Sequence, residues 1–200
     1  MEVIERASKN FDKIVLILGV MHGEEPQGEM LINNFLKICE ELKLKNKLIF
    51  IPCINSYGKA RNIRQNKNGV DLNRNYPTQN WKLTKKNDYF GGEYPKSEEE
   101  TIFLIDLIER IKPDCILSLH APFKIVNYDG PALEIAQKIS QLTGYPLQAD
   151  IGYPTPGSFG TYFGVERNIP VITLELPEDV SDEKLWEDNK SVFNFFAYEF

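Results

Sequence analysis

The chain has 200 residues, 42% of them hydrophobic, and a formal net charge of −6, which suits one compact domain with its own core. The acidic balance argues against a nucleic-acid partner, and no apolar run approaches the length of a membrane span, so no membrane partner is expected. Cys39, Cys53 and Cys115 are odd in number and scattered through apolar segments, which predicts free thiols.

Lys13 to Val20 is a short, β-branched apolar run that reads as a buried strand. Pro26 fits the first turn of a helix whose apolar face is Met30, Leu31, Phe35, Ile38 and Leu42. Lys47 to Ile54 reads as the next strand. Residues 55–94 are rich in Asn, Gly, Pro and charge with no sustained period; a loop of that length in a compact domain is usually functional. Ser97-Glu98-Glu99-Glu100 has the form of a capping box, opening a helix that buries Ile102, Phe103, Ile105, Leu107 and Ile108 and ends at Pro113. Asp114 to Leu119 predicts another buried strand, Pro131 to Leu142 a helix stopped by Gly144, and Val171 to Leu176 a further strand. Asp182 to Phe200 closes the chain as an amphipathic helix. Strands alternating with helices predict an α/β sheet covered on both faces, with chemistry carried by polar groups at strand ends. No repeat or linker divides residues 1–200, so a single domain is expected. Residues 1–10 mix charges of both signs without an apolar core, which with the thiols makes the cytoplasm the expected location.

The only two histidines each follow an apolar stretch. His22 lies in Gly19-Val20-Met21-His22-Gly23-Glu24-Glu25, and His120 follows Cys115-Ile116-Leu117-Ser118-Leu119. An H-x-x-E pair plus a distant histidine supplies two nitrogens and one carboxylate, which leaves a fourth position open on a catalytic zinc. The competing reading is that Glu24 and Glu25 charge a helix N-terminus and both histidines serve packing. Glu175, in Ile172-Thr173-Leu174-Glu175-Leu176, is a charge in an apolar strand. It either shares an exposed face with Thr173 or faces the metal as a base. Arg61, Arg64 and Arg74 stand in the long loop, where arginine suits a substrate carboxylate or an oxyanion; a solvated basic loop is the alternative.

Taken in order, H-G-E-E at His22, G-V-D-L-N-R-N at Gly69, S-L-H at Ser118 and T-L-E-L at Thr173 resemble the zinc carboxypeptidase family. Val70 to Pro77 and Gly152 to Gly160 are similar to its bacterial murein peptide amidase branch, which cuts between γ-D-glutamate and meso-diaminopimelate. The resemblance implies a mixed, largely parallel twisted sheet with helices on both faces and one Zn2+ per chain held by His22, Glu25 and His120. It further implies Glu175 as general base and acid, Asp71 as the carboxylate orienting His22, and Arg64 as the oxyanion arginine with Arg61 as its fallback. Asn73 and Arg74 would grip the carboxylate of the released residue, and Tyr153 would stand near the scissile bond. The implied partner is a small murein-derived peptide; oligomeric state is left open. The same machinery would also serve a zinc carboxypeptidase on other peptides or an N-acyl amino acid deacylase. From another class, a non-catalytic peptide-binding domain would keep the fold without the chemistry.

Overall fold

The computed structural model describes residues 1–39 and 43–200. Its strands are β1 (Ile4–Arg6), β2 (Ile14–Leu18), β3 (Lys47–Ile51), β4 (Cys115–His120), β5 (Ile125–Asp129), β6 (Leu147–Gln148) and β7 (Val171–Glu175). They form one seven-stranded sheet in the order β1-β3-β2-β4-β7-β5-β6. Neighbours among β3, β2, β4 and β7 are parallel, whereas β1 runs antiparallel to β3 and β5 antiparallel to β7, with β6 parallel to β5. The sheet is therefore mixed and largely parallel. The helices are α1 (Gln27–Cys39), α2 (Ser56–Lys59), α3 (Glu99–Ile111), α4 (Leu133–Thr143) and α5 (Asp182–Asn194).

Period-two alternation divides the strand residues between two cores. On one face Val15, Ile17, Leu117 and Leu174 meet Leu31, Phe35, Ile139 and Phe193 from α1, α4 and α5. On the other, Leu16, Leu18, Ile49 and Ile116 meet Leu104, Ile105 and Ile108 of α3 together with Tyr76 and Phe163. The central strands are apolar on both sides because both sides are covered. No helix among the described residues is long and apolar enough to cross a membrane, and the three cysteines are free.

Several boundaries differ from the sequence reading. Strand β3 ends at Ile51, since Pro52 cannot donate to the ladder. The closing helix tightens its turn only to Asn194 and continues as a π-helical segment over Phe195–Glu199. The expected helical position Leu42 lies outside the described residues. The capping box is not formed: Glu98 occupies the N-cap of α3 without a side-chain cap bond. Ser97 Oγ instead donates to Glu98 Oε1 at 2.6 Å and accepts from Asn75 Nδ2 at 2.9 Å. Strands β1, β5 and β6 were not anticipated; all three lie towards the sheet edges, where short polar-bearing segments lack an apolar signature.

Candidate metal centre and active site

Three strands deliver the central residues to one edge of the sheet. After β2 the chain turns at Val20, whose φ of 50° is rare for a β-branched residue. The turn is held by Asn55 N–H donating to the Val20 carbonyl at 2.9 Å and by full burial of the Val20 side chain. His22 follows at once. Gly23 then lets two backbones touch: a Cβ there would lie 2.0 Å from the Gly58 carbonyl carbon. His120 ends β4 and Glu175 ends β7, directly across the parallel register from one another.

His22, Glu25 and His120 are buried, and their ligand atoms lie within 4.8 Å of one another. Glu25 Oε1 is 2.8 Å from His22 Nδ1, and Oε2 is 2.9 Å from His120 Nδ1. On its far side, His22 Nε2–H donates to Asp71 Oδ1 at 3.1 Å, which turns Nδ1 towards Glu25 and His120. Arg64 Nε donates to Asp71 Oδ2 at 2.9 Å, and the backbone N–H of Asn73 donates to Asp71 Oδ1 at 2.8 Å. Asp71 thus accepts three hydrogen bonds and is fully buried.

The electrostatics follow from these contacts. Burial pulls the His22 imidazolium down, but the Glu25 and Asp71 carboxylates outweigh it and hold the ring at about 9. Burial works against the charged forms of Glu25 and Asp71 as well; the imidazoles around Glu25, and His22 with Arg64 around Asp71, nevertheless keep both well below the usual carboxylate range. His120 is pushed below its ordinary value by burial. Glu175 goes the other way: burial, then the Glu25 charge, lift it to about 8. Its Oε2 is buried without a hydrogen-bond partner. Two imidazoles, a carboxylate between them, a carboxylate behind one ring and an orphaned carboxylate oxygen beside the set suit a borderline-soft divalent cation such as zinc.

The centre opens into a cleft of about 260 Å³ whose lining includes Glu175, Arg64, Asn73, Arg74 and Tyr153. Asn73 Oδ1 accepts from Phe159 N–H at 2.8 Å, leaving its amide NH2 to donate. Arg74 is buried, with Nη1 donating to the Asn73 carbonyl at 2.7 Å. Tyr89 lies beneath both guanidiniums, 5.1 Å from that of Arg64 and 5.7 Å from that of Arg74. The arginine-bearing loop is tied to the start of α3, where Asn66 and Asn68 each donate to Glu98 Oε2 at 2.7 Å. Arg61 is not brought to the cleft: it is exposed, and its guanidinium stacks on Tyr57 at 3.8 Å. The short helix α2 directs it outwards, so the fallback role for Arg61 is withdrawn. The sequence offers Tyr89 as a possible pocket wall, and it lines the cleft; sequence reasoning missed Asn127 and Asp129, which line the cleft from β5. The alternation of Ile125, Asn127 and Asp129 was the available signal for the last two.

The zinc carboxypeptidase family model matches residues 2–134. That span holds the proposed ligands and Arg64 but not Glu175. Murein peptide amidase A from Escherichia coli K12 is 34% identical over 180 residues, covering 84% of this chain and 73% of that protein. The crystal structure of murein-tripeptide amidase MpaA from Escherichia coli O157 superposes with a TM-score of 0.82 at 28% identity, covering 98% of this chain and 86% of the other. Carboxypeptidase A from Helicoverpa armigera shares the fold, with a TM-score of 0.77 at 18% identity over 96% of this chain and 62% of its own. The family uses zinc, and His22, Glu25 and His120 are the side chains arranged to hold it. The chain belongs to the zinc carboxypeptidase family.

Proposed function

We propose that this protein is a zinc-dependent murein peptide amidase that hydrolyses the bond between γ-D-glutamate and meso-diaminopimelate. The observation that carries the reading is the convergence of His22, Glu25 and His120 beside Glu175 at one sheet edge, in a chain 34% identical to Murein peptide amidase A. Zinc, when bound by these three side chains, supplies a Lewis acid that polarises a carbonyl and acidifies water. Glu175 takes the proton of the attacking water and returns it to the leaving nitrogen. Its buried, unpartnered Oε2 supports that part, because an oxygen without a protein partner is available to water. Arg64, fixed through Nε by Asp71, donates its remaining N–H groups to the oxyanion as it forms. Arg74 and the Asn73 amide bind the carboxylate of the released residue, and Tyr153 flanks the bond being cut. Asp71 holds His22 in its ligating orientation. The free thiols support a cytoplasmic setting, in which the enzyme works on peptides recovered from the wall.

The test is incubation of the zinc-loaded protein with L-Ala-γ-D-Glu-meso-diaminopimelate, with free diaminopimelate as the readout. Release of diaminopimelate is expected. Cleavage of ordinary C-terminal peptides or N-acyl amino acids with no release from the γ-linked peptide would overturn the amidase reading while leaving a zinc hydrolase.

A further inference from the structure

The cleft does not end behind Arg74. A second chamber of about 440 Å³ adjoins it, and Arg74, Tyr89 and Tyr153 line both spaces. Its other walls include Pro154, Pro156 and the bare backbone of Gly91, so it is mostly apolar. Gly91 also packs against the clamp, since a Cβ there would lie 2.4 Å from the Arg74 carbonyl oxygen. The arginine proposed to hold a substrate carboxylate therefore stands at a doorway rather than against a closed wall.

The two spaces differ in charge. Five carboxylates line the cleft, those of Glu24, Glu25, Asp129, Glu175 and Glu178. Among the described residues no carboxylate lines the second chamber, whose charged side chains are the cations Arg74 and Lys82. Lys82 is exposed, and among the described residues no carboxylate pairs with its ammonium. Thr84, in the same wall, keeps its Oγ1 buried without a hydrogen-bond partner. A hydroxyl shut away from water and left unpaired costs free energy, which a polar group of a bound chain would relieve. Apolar walls, an unpaired ammonium and a waiting hydroxyl describe a seat for a short piece of peptide that ends in a carboxylate.

Resting on the reading of Glu175, Arg64 and Arg74 given above, we propose that this chamber receives one further residue on the carboxyl side of diaminopimelate. The protein then also acts as an endopeptidase, on wall peptides longer by one small apolar residue. In such a peptide the diaminopimelate carboxyl is an amide. Its carbonyl oxygen still accepts from Arg74, and the terminal carboxylate moves on to Lys82. The added side chain lies against Pro154 and Pro156, and the added amide meets Thr84 Oγ1. The bond cut is unchanged. The C–N bond between the γ-glutamyl carbonyl and the diaminopimelate nitrogen breaks, the hydroxyl of water joins the carbonyl carbon and its proton goes to the nitrogen. What leaves is a dipeptide instead of a free amino acid.

The test uses the zinc-loaded full chain with L-Ala-γ-D-Glu-meso-diaminopimelate, with the same peptide extended by alanine of either configuration, and with the extended peptide amidated at its terminal carboxyl. Mass spectrometry reads the products. At least one extended epimer is expected to release intact diaminopimelyl-alanine, with kcat/KM within about tenfold of the unextended peptide. Amidation and Lys82→Gln are each expected to lower kcat/KM for the extended peptide by about two- to fivefold, the worth of an exposed ion pair, and together no further than either alone. Thr84→Trp, which fills the chamber, is expected to lower it by about 30-fold or more while the unextended peptide stays within about twofold. If the unextended peptide is cut while both extended epimers resist, the inference is overturned and the amidase reading stands. Equal loss on short and long peptides in both variants overturns it too. If no γ-linked peptide is cut, the amidase reading falls, and calorimetry compares diaminopimelyl-alanine with free diaminopimelate. Dipeptide binding that Thr84→Trp abolishes supports the chamber; no binding, or binding indifferent to that variant, overturns it.

Discussion

Glu175 and His120 are register partners, each the last residue of its strand, on the neighbouring parallel strands β7 and β4. The proposed base and a proposed metal ligand are thus fixed to one another by the sheet ladder rather than by a loop. Glu175→Gln keeps the shape and removes the proton acceptor. We expect kcat to fall by about 10²- to 10⁴-fold with zinc content and KM little changed. Turnover assays beside metal analysis check this, and undiminished turnover would remove Glu175 from the chemistry.

Zinc binding is expected to release a proton from His22. With that ring held at about 9 in the metal-free chain, it carries its extra proton at pH 7, and Nδ1 must lose it to become a ligand. Calorimetry at pH 7 in two buffers of different ionisation enthalpy should report close to one proton from this group, falling towards none above pH 9. Affinity should weaken as pH drops below about 9, by about tenfold per unit for each proton displaced.

The metal-free protein should lose stability as pH rises through the neutral range. Glu175 and His22 bind protons more tightly folded than unfolded, at about 8 and about 9 against ordinary values of 4.5 and 6.5. Their contributions are complete below the unfolded values and are lost as pH climbs through the folded ones. His120 has the opposite sign, but it acts only below 6.5. Between pH 7 and 9 the urea midpoint should therefore fall, with a slope of up to about 1.4 kcal/mol per unit for each group. A flat or rising midpoint would contradict these protonation states.

Asp71→Asn leaves the His22 orientation half-supported and strips Arg64 of its Nε partner. Zinc affinity is expected to drop by about 10- to 100-fold, measured by competition with a chelator, with a separate fall in kcat as Arg64 loosens.

Gly23→Ala tests the backbone contact that seats the H-x-x-E turn. The added methyl meets Gly58 backbone rather than a side-chain tip, so the two segments must separate. A loss of about 1–3 kcal/mol is expected, seen as a lower thermal midpoint together with weakened zinc binding.

The central strands and the four long helices were legible because each carries apolar residues at the right period and most are bounded by Gly or Pro, while α5 opens on the cap Ser181. The H-x-x-E and lone-histidine pattern was legible for the same reason, since each piece follows a strand. The strand Ile125–Asp129, next to the sheet edge, was not, because it carries Asn127 and Asp129 on the cleft face and so lacks an apolar run. Asp129 went unnoticed with it. Ser97 misled because sequence shows which side chain can cap a helix, not that Asn75 and Glu98 have already engaged its hydroxyl. Arg61 and Arg64 are indistinguishable by composition. Only the path of the chain past α2 sends one to Tyr57 and the other to Asp71.

The segment bearing Arg64, Asn73 and Arg74 is moored by Asn66 and Asn68 to Glu98 at the mouth of α3, while His120 ends β4 and His22 and Glu25 sit in the turn between β2 and α1. Asp71 lies in that same segment and holds both Arg64 and the ring of His22, so clamp and anchor share a foundation. Loosening the mooring at Glu98 would therefore slacken the hold on a peptide tail and, through Asp71, reach the ion as well, so one tether governs both.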